Sequence, residues 1–594
     1  MLFYSLHRAY DRFGTDPDYN IAPNGYSYQR ITFKVVLTSK GQLFEIQDAR
    51  VLIEGKLQPK PELVPGDAKP SGSGMNPCFL WDNSGYMLGF KAKDDTEKEK
   101  ERTRRSFSAF QDKHWELRDE IASPAFGAVC CFLKDWDPER AHDFPVLADA
   151  ATTGFGVFQI QGETGYVHKD PAVRQWWDAN PRNSVSQASQ GQCLVTGKEA
   201  ILARIHPKIK GVTGAHSTGA TIAGYNEDAY ESYGKKQSYN APVSEEVAFR
   251  YVTTLNALLD GPMRFKHRMK LGDTTIAFWT ERPTPTEDIF LKFITEGSAA
   301  IKDSSAQDEG LRKKLYEFLR ALREGRECYA EIEEAPGQTP FFMLGLAPNA
   351  ARIAVRFFHC GTLAELLENV RQHHRDIGLV PQPAAGRRPA DPEFPSANFL
   401  LKQSARDPKG ILPILSGPLL RAIITGVRYP EGLYSAVLRR VRVGDAVNYA
   451  RASVIKGYLN RNLKKEVNMV LDPAKSDPAY RLGRLFAALE KTQKDALGEG
   501  LNKTIRDSYY GAASSIPGTI FPRLLRTYQH HLAKLEGGHR VNREKLIQDI
   551  LAPLSAFPAS LSLPDQGLFA IGYYHQTRDF YSKRGNNQSS KEPM

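Results

Sequence analysis

Apolar and polar residues alternate along QRITFKVVLTSKGQLFEIQDARVLIEGKL, residues 29–57, around a Lys40-Gly41 midpoint. A period of two broken by a glycine predicts two strands and a tight turn. Residues 58–77 carry many Pro and Gly and read as a loop. FLWDNSGYMLGF, 79–90, reads as a strand, a turn and a further apolar segment. Residues 91–120 take a helical period with Phe107, Phe110 and Trp115 inward, and a second helix is expected over about 136–151. FGVFQIQ, 155–161, and TTIAFWTE, 274–281, read as strands. Between them SEEVAFRYVTTLNALL opens a helix at Ser244, with Glu245 and Glu246 in its first turn. A charged helical region is expected to about 327. ARIAVRFFHCG, 351–361, alternates, with Ile353, Val355 and Phe357 on one face and Arg352, Ala354 and Arg356 on the other; FFMLGLAPNA precedes it and a helix, LAELLENVRQHHRD, follows. At the N-terminus MLFYSLHRAYDRFG reads as a short amphipathic helix with Phe3, Leu6 and Tyr10 on one side, and not as a secretory signal.

Residues 380–397 form a Pro/Ala/Arg linker, after which strand signals stop and helical patterns dominate. The fold class expected is therefore α+β. A mixed α/β region covers 1–390, a basic helical connector 397–468 and a helical bundle 469–594, with the tail after 583 disordered. No internal repeat is present. A chain of 594 residues suits two to four domains. No window is long and apolar enough for a membrane span. Six cysteines (Cys78, Cys130, Cys131, Cys193, Cys328, Cys360) form no C-x-x-C pair, so they read as reduced core thiols of a cytoplasmic protein without zinc.

Charge changes the picture. The net charge is +11 with a pI of about 9.1, which favours polyanionic partners. Between Lys402 and Lys465 there are 13 Lys/Arg against 3 Asp/Glu, including Arg421, Arg428, Arg439, Arg440, Arg442, Arg451, Lys456, Arg461, Lys464 and Lys465. Solvated helix faces usually mix signs, so this run points to nucleic acid. Further on, Arg481, Arg484, Lys491 and Lys494 share roughly one stripe of a helix. Arg523, Arg526, His530 and Lys534 repeat the arrangement, a cradle suited to a single strand.

Motifs for chemistry are nearly absent. VTGKEA lacks the upstream glycine of a P-loop, and there is no G-x-S-x-G or H-E-x-x-H. His373-His374 and His530-His531 are adjacent pairs whose side chains diverge on a helix, and they read as solvent- or phosphate-facing rather than metal-binding. Asp82, Asp228 and Glu231 do not form a two-metal nuclease pattern. No catalytic residue, metal or cofactor is expected. Two alternatives stay open: a metal-dependent nuclease acting alone, and a scaffold that binds RNA or protein.

The segment 192–256, QCLVTGKEAILARIHPKIKGVTGAHSTGATIAGYNEDAYESYGKKQSYNAPVSEEVAFRYVTTLN, has little to offer a core in its first half. Gly211, Gly214, Gly219 and Gly224 would make a slender loop. Ser217, Thr218, Asn226, Gln237 and Asn240 can donate to base edges or phosphates. Lys208, Lys210, Lys235 and Lys236 can neutralise phosphates. Tyr225, Tyr230, Tyr233 and Tyr239 offer flat faces for packing on a sugar or wedging at an unwound pair. Asn83 is a candidate for the same neighbourhood, Trp81 lies near it but reads as core, and Arg352 and Arg356 are candidates for a backbone contact.

FLWDNSGYMLGF, then the 192–256 segment, then MLGLAPNAARIAVRFFHCGTL, occur in that order. Together they resemble the large subunit of the type I-C CRISPR effector complex, Cascade, over nearly the whole chain. The resemblance implies a non-enzymatic subunit at the 5′ end of a guide crRNA. Such a subunit inspects double-stranded target DNA for a protospacer-adjacent motif and aids duplex opening. It holds the displaced single strand of the R-loop and offers a docking surface to a helicase–nuclease. Implied partners also include the repeat-processing subunit, the repeated backbone subunit and the small helical subunit, with no membrane. In this family the small subunit can be made from the C-terminal coding region, and Met469 would be a start for it.

Overall fold

The computed structural model describes the chain except residues 54, 67–68, 70–73, 153, 181–188, 226, 285–286, 288–316, 318–319, 321–337, 351, 382–389, 499–500 and 589–594. It has two compact units. The first is Met1–Lys210 with Ser217–Pro262, and the second Gly211–His216 with Met263–Met594. The division thus falls inside the stretch read from sequence as one mixed region.

The first unit is built on β1 (Tyr26–Leu37). β2 (Leu43–Asp48) returns antiparallel along its second half after a turn at Gly41, φ +81°. β3 (Val51–Ile53) and β4 (Lys56–Gln58) make a small ribbon of their own. β5 (Lys60–Pro65) pairs with Tyr26–Ile31, in the stretch read as a loop. Pro61 and Pro65 hid it: a strand paired along one side tolerates proline. β6 (Trp81–Asp82) and β7 (Phe155–Ile160) complete the order β2-β1-β7-β6, with β1 and β7 parallel. Helices α2 (Glu97–Glu116) and α3 (Pro124–Asp135) pack on this sheet, and α1 (Leu2–Gly14) packs on the helix Glu245–Asp260. On α2, Phe107, Phe110 and His114 are buried at helical spacing. Trp115 falls one residue off that stripe and is exposed, with Arg118 and Lys134 over its ring at 4.7 and 4.8 Å. The helix expected over 136–151 is two short 3-10 turns around Pro145–Asp149, because Pro138 and Pro145 each start a new turn.

The second unit opens with an antiparallel sheet, β10 (Arg268–Leu271), β11 (Thr274–Thr280), β12 (Pro340–Asn349) and β13 (Arg352–Thr362), in sequence order. The expected single face of Ile353, Val355 and Phe357 is broken. Leu346 pairs with Val355 but Gly345 with Phe357, so Arg356 is a bulge residue and the alternation resets there. Ile353 is buried and Val355 exposed. The helical region expected to 327 and Cys328 lie outside the described residues. Cys130 and Cys193 are buried as expected of core thiols, but Cys360 on β13 is exposed.

After β13 every described element is helical. The elements are α4 (Leu363–Ile377), α5 (Glu431–Arg442), α6 (Tyr449–Leu463), α7 (Pro478–Leu497), α8 (Ile505–Ala513), α9 (Pro517–Leu532), α10 (Gly537–Leu551) and α11 (Leu563–Gln588), with the helices Ala397–Leu401 and Ser416–Thr425 between α4 and α5 and short turns elsewhere. The tail expected to be disordered from 583 is helical to Gln588, and the rest lies outside the described residues. Helices α7 and α11 touch backbone to backbone. A Cβ on Gly483 would sit 1.9 Å from the Phe569 carbonyl oxygen, and one on Gly572 2.0 Å from that of Tyr480. Only glycine permits that approach. The α+β class holds.

Candidate nucleic-acid interface

The suspicious segment is tied down at its base. Cys193 lies between β8 (Gln190–Gln192) and β9 (Glu199–Ile201), and its Sγ accepts the Ser244 N–H at 3.3 Å. Burial raises this thiol, but backbone N–H groups of Ser244, Thr196 and Val195 outweigh it and bring it down to about 7. Ser244 also caps the helix Glu245–Asp260, as its sequence predicts, accepting from Val247 N–H at 3.3 Å. Further on, buried His206 pairs Nδ1 with the Tyr251 hydroxyl at 2.7 Å.

Lys208 and Lys210 flank buried Ile209, so both side chains reach solvent. Asn256 fixes their backbone: it donates to Lys208 O at 3.1 Å and accepts from Lys210 N–H at 2.8 Å. Ile209 bridges Ala220, and Gly219, φ +90°, lies so close that a Cβ there would meet Ile209 O at 2.9 Å. That glycine is spent on chain packing. Ser217 and Thr218 are exposed in the turn before it. Asn226 lies outside the described residues.

Residues 228–240 form a finger. Its tip is a two-residue turn, with Ser232 bridging Lys235 and both central residues, Tyr233 and Gly234, at positive φ (+53° and +70°). Such turns favour Asn-Gly, so a tyrosine there is strained. The ring gains no packing in return, because Tyr233 is 99% exposed. Tyr225 and Tyr239 are half-buried and Tyr230 is only partly exposed, which leaves Tyr233 as the projecting one. Lys235 and Lys236 are exposed beside it.

Asn240 does not face outward as a base reader. Its Oδ1 accepts the Ser232 N–H at 2.9 Å, and its amide donates to Lys235 O at 2.8 Å and Gln237 O at 2.9 Å. Gln237 is itself at φ +51°, and its side-chain oxygen accepts from Arg204 at 3.0 Å. Both residues therefore shape the finger. Buried Ser238 roots it, donating its N–H to Arg204 O at 3.2 Å. Trp81 and Asn83 are likewise structural: Trp81 is buried and donates to Pro65 O at 2.6 Å, and Asn83 caps a one-turn helix through Gly85 N–H at 3.0 Å.

In the second unit the charge run is less available than its composition implies. Arg451, Lys456 and Arg461 are buried. Arg461 pairs with Asp376 at 2.6 Å, and Lys456 donates to the carbonyls of Arg375 and Asp376 at 3.0 and 3.2 Å, closing the C-terminus of α4. Arg421, Arg428, Arg439, Arg442 and Lys464 are exposed.

The stripe on α7 is corrected too. Arg481 and Arg484 are each only 4% exposed. Arg481 donates to the carbonyls of Asp549 and Pro473 at 3.3 and 3.2 Å, and Arg484 to Gln576 Oε1 at 3.1 Å. They staple helices together. Lys491 pairs with Asp495 and Lys494 with Glu490, four residues away in each case. On α9 the stripe survives, with Arg523, Arg526 and His530 exposed, and Lys534 is exposed in the turn just past the helix. Arg352 keeps other interactions, and Arg356 pairs with Asp273 at 3.3 Å.

Among the described residues no three His, Cys, Asp or Glu side chains gather to hold a metal ion, and no helix is long and apolar enough to cross a membrane. No curated protein matches the chain. The model of one family, described as CRISPR-associated protein (Cas_Csd1), matches residues 6–581, a span that takes in the finger, both sheets and the helical C-terminal part. The chain belongs to that CRISPR-associated family.

Proposed function

We propose that this protein is the large subunit of a type I-C RNA-guided surveillance complex. In that role it reads the protospacer-adjacent motif in double-stranded DNA, helps open the duplex and steadies the R-loop. It works beside a crRNA, the other complex subunits and a helicase–nuclease, and without a catalytic centre of its own. The observation that carries the reading is the finger, a strained, solvent-projecting Tyr233 flanked by Lys235 and Lys236 and clasped from below by Asn240. Base pairing supplies sequence specificity in such complexes, so the protein needs a narrow probe and dispersed phosphate contacts. Lysines neutralise phosphates beside a flat ring that can stack or wedge at a base step. Lys208, Lys210, Ser217 and Thr218 extend the contact on the first unit, and Arg523 and Arg526 offer a track for a single strand on the second.

The test is the assembled complex on duplex targets, with a base-analogue reporter at the first pair beside the motif. Tyr233→Ala should reduce opening and target affinity while leaving crRNA loading intact. Undiminished opening by that variant would refute the assignment of the finger.

A further inference from the structure

Three arginines of the second unit gather around one carboxylate, with a fourth on the same turn. Asp445 follows α5 in a turn that needs Gly444 at φ +107°. Arg440 Nε donates to Asp445 Oδ2 at 2.7 Å, Arg406 Nη2 lies 3.4 Å from Oδ1, and Arg451 Nη2 lies 4.0 Å from Oδ2. Arg506, from α8, donates to Gly444 O at 3.1 Å in the same turn. Three guanidiniums against one carboxylate leave a charge of +2 (3 − 1), with Arg506 and its neighbour Asp507 beside them. In the turn after Arg406, Asp407 accepts the Lys409 N–H at 2.8 Å.

One carboxylate cannot satisfy three forks of donors. Arg440 turns its spare Nη1 to Gln403 O at 2.9 Å and to Ala405 O. Arg451 is buried, gives Nη1 to Ala446 O, and leaves Nε buried without a partner. Burial first, and then the neighbouring guanidinium of Arg440, lowers Arg451 from its ordinary value, so the cluster repels itself as it stands. Arg406 is the open arm, because its side chain is 70% exposed. What sets this cluster apart from the buried arginines elsewhere in the unit is that it keeps donors in surplus and also turns one of its arms to solvent.

We infer that Arg406, Arg440, Arg451 and Arg506 form a phosphate seat, in which Asp445 holds the guanidiniums in register and a phosphodiester of a nucleic-acid backbone takes up the surplus donors. Arginine forks match phosphate oxygens in pairs, and a single well-seated phosphate fixes the path of a strand without reading its sequence. The inference rests on the nucleic-acid role proposed above but not on recognition of any flanking motif.

The experiment measures affinity of the purified full-length chain for labelled single-stranded RNA, single-stranded DNA and duplex, across a salt series. Arg406→Ala, at an exposed position, should weaken binding about 5- to 10-fold at low salt and make the salt slope shallower by about 0.7–0.9. The double change Arg406→Ala/Arg506→Ala should weaken it further. Wild-type affinity and slope in both arginine variants would overturn the seat. Inorganic phosphate is the second arm. If it raised the melting temperature of the wild type but not of Arg406→Ala, while nucleic-acid affinity stayed level, the site would hold free phosphate and the backbone assignment would fall. Motif discrimination by the assembled complex should be unchanged in Arg406→Ala. A failure of motif reading would appear there, and not in the salt series.

Discussion

Ser232 donates its backbone N–H to Oδ1 of Asn240 at 2.9 Å, so the seven residues between them are closed off at the neck by a side chain. Asn240→Ala removes this bond and the two that the amide makes to Lys235 O and Gln237 O. The local cost is about 1–3 kcal/mol. Global unfolding should barely shift, because the neck is at the surface. Hydrogen exchange over 228–240 should speed up, and target affinity should fall equally on every flanking motif. A change in motif preference instead would restore Asn240 as a base reader.

Tyr233 separates stability from function. Tyr233→Gly relieves a positive-φ strain of roughly 1 kcal/mol at a residue whose ring touches nothing. Thermal stability should be equal or slightly higher while duplex opening drops. A variant that lost both together would show the ring to be a packing residue.

Lys208, Lys210, Lys235 and Lys236 should behave as phosphate contacts. Each change to alanine is expected to weaken target binding on all motifs alike, and to make the salt slope shallower by roughly one per lost contact. The measurement is affinity of the assembled complex against salt concentration. An unmoved slope in the quadruple variant would favour the scaffold alternative.

The two basic stripes should part company. Arg481→Ala and Arg484→Ala strand buried carbonyls and Gln576, and each should cost about 2–3 kcal/mol in a denaturant melt. Arg523→Ala and Arg526→Ala should leave the melt within about 0.5 kcal/mol and weaken single-strand binding. The reverse pattern would sink the present division of roles.

Acid should unfold this protein well above the carboxylate range. Burial lowers His114 to about 3, His206 to about 4, His374 to about 3 and His575 to about 4. His114 shows why it must stay neutral: Nε2 accepts the Leu80 N–H at 2.9 Å while Nδ1 faces Phe110 O at 2.7 Å. Each folded value lies below the unfolded 6.5, so the unfolded chain binds the extra protons. The stability is whole above pH 6.5 and drains as pH falls from there toward 3–4, by up to about 1.4 kcal/mol per pH unit for each group. Denaturant melts between pH 7.5 and 5 would show it. A flat profile would mean that these rings protonate without penalty.

The sequence made regular elements legible wherever one period ran unbroken. Ser244 with its two glutamates announced its helix, TTIAFWT its strand, and Phe107 with Phe110 the inner face of α2. Irregularities were not legible. Pro61 and Pro65 concealed β5, and an extra residue at Arg356 reset the alternation of β13. Charge misled at Arg481 and Arg484, although a signal was there. They sit among Leu482, Gly483, Leu485 and Phe486, and a helix apolar on every side belongs at a centre, whatever charges it carries. The finger was half visible. Its lysines and tyrosines stood out, but which ring projects depends on backbone dihedrals that no spacing encodes.

The glycine crossing of α7 and α11 has a mechanical meaning. With no side chain between Gly483 and Phe569, or between Gly572 and Tyr480, neither helix can slide or roll without driving a carbonyl into an α-carbon. The pair is a strut, stiff under load. If a captured strand pulls on this half of the protein, the yielding has to happen in the loops that lead to the strut.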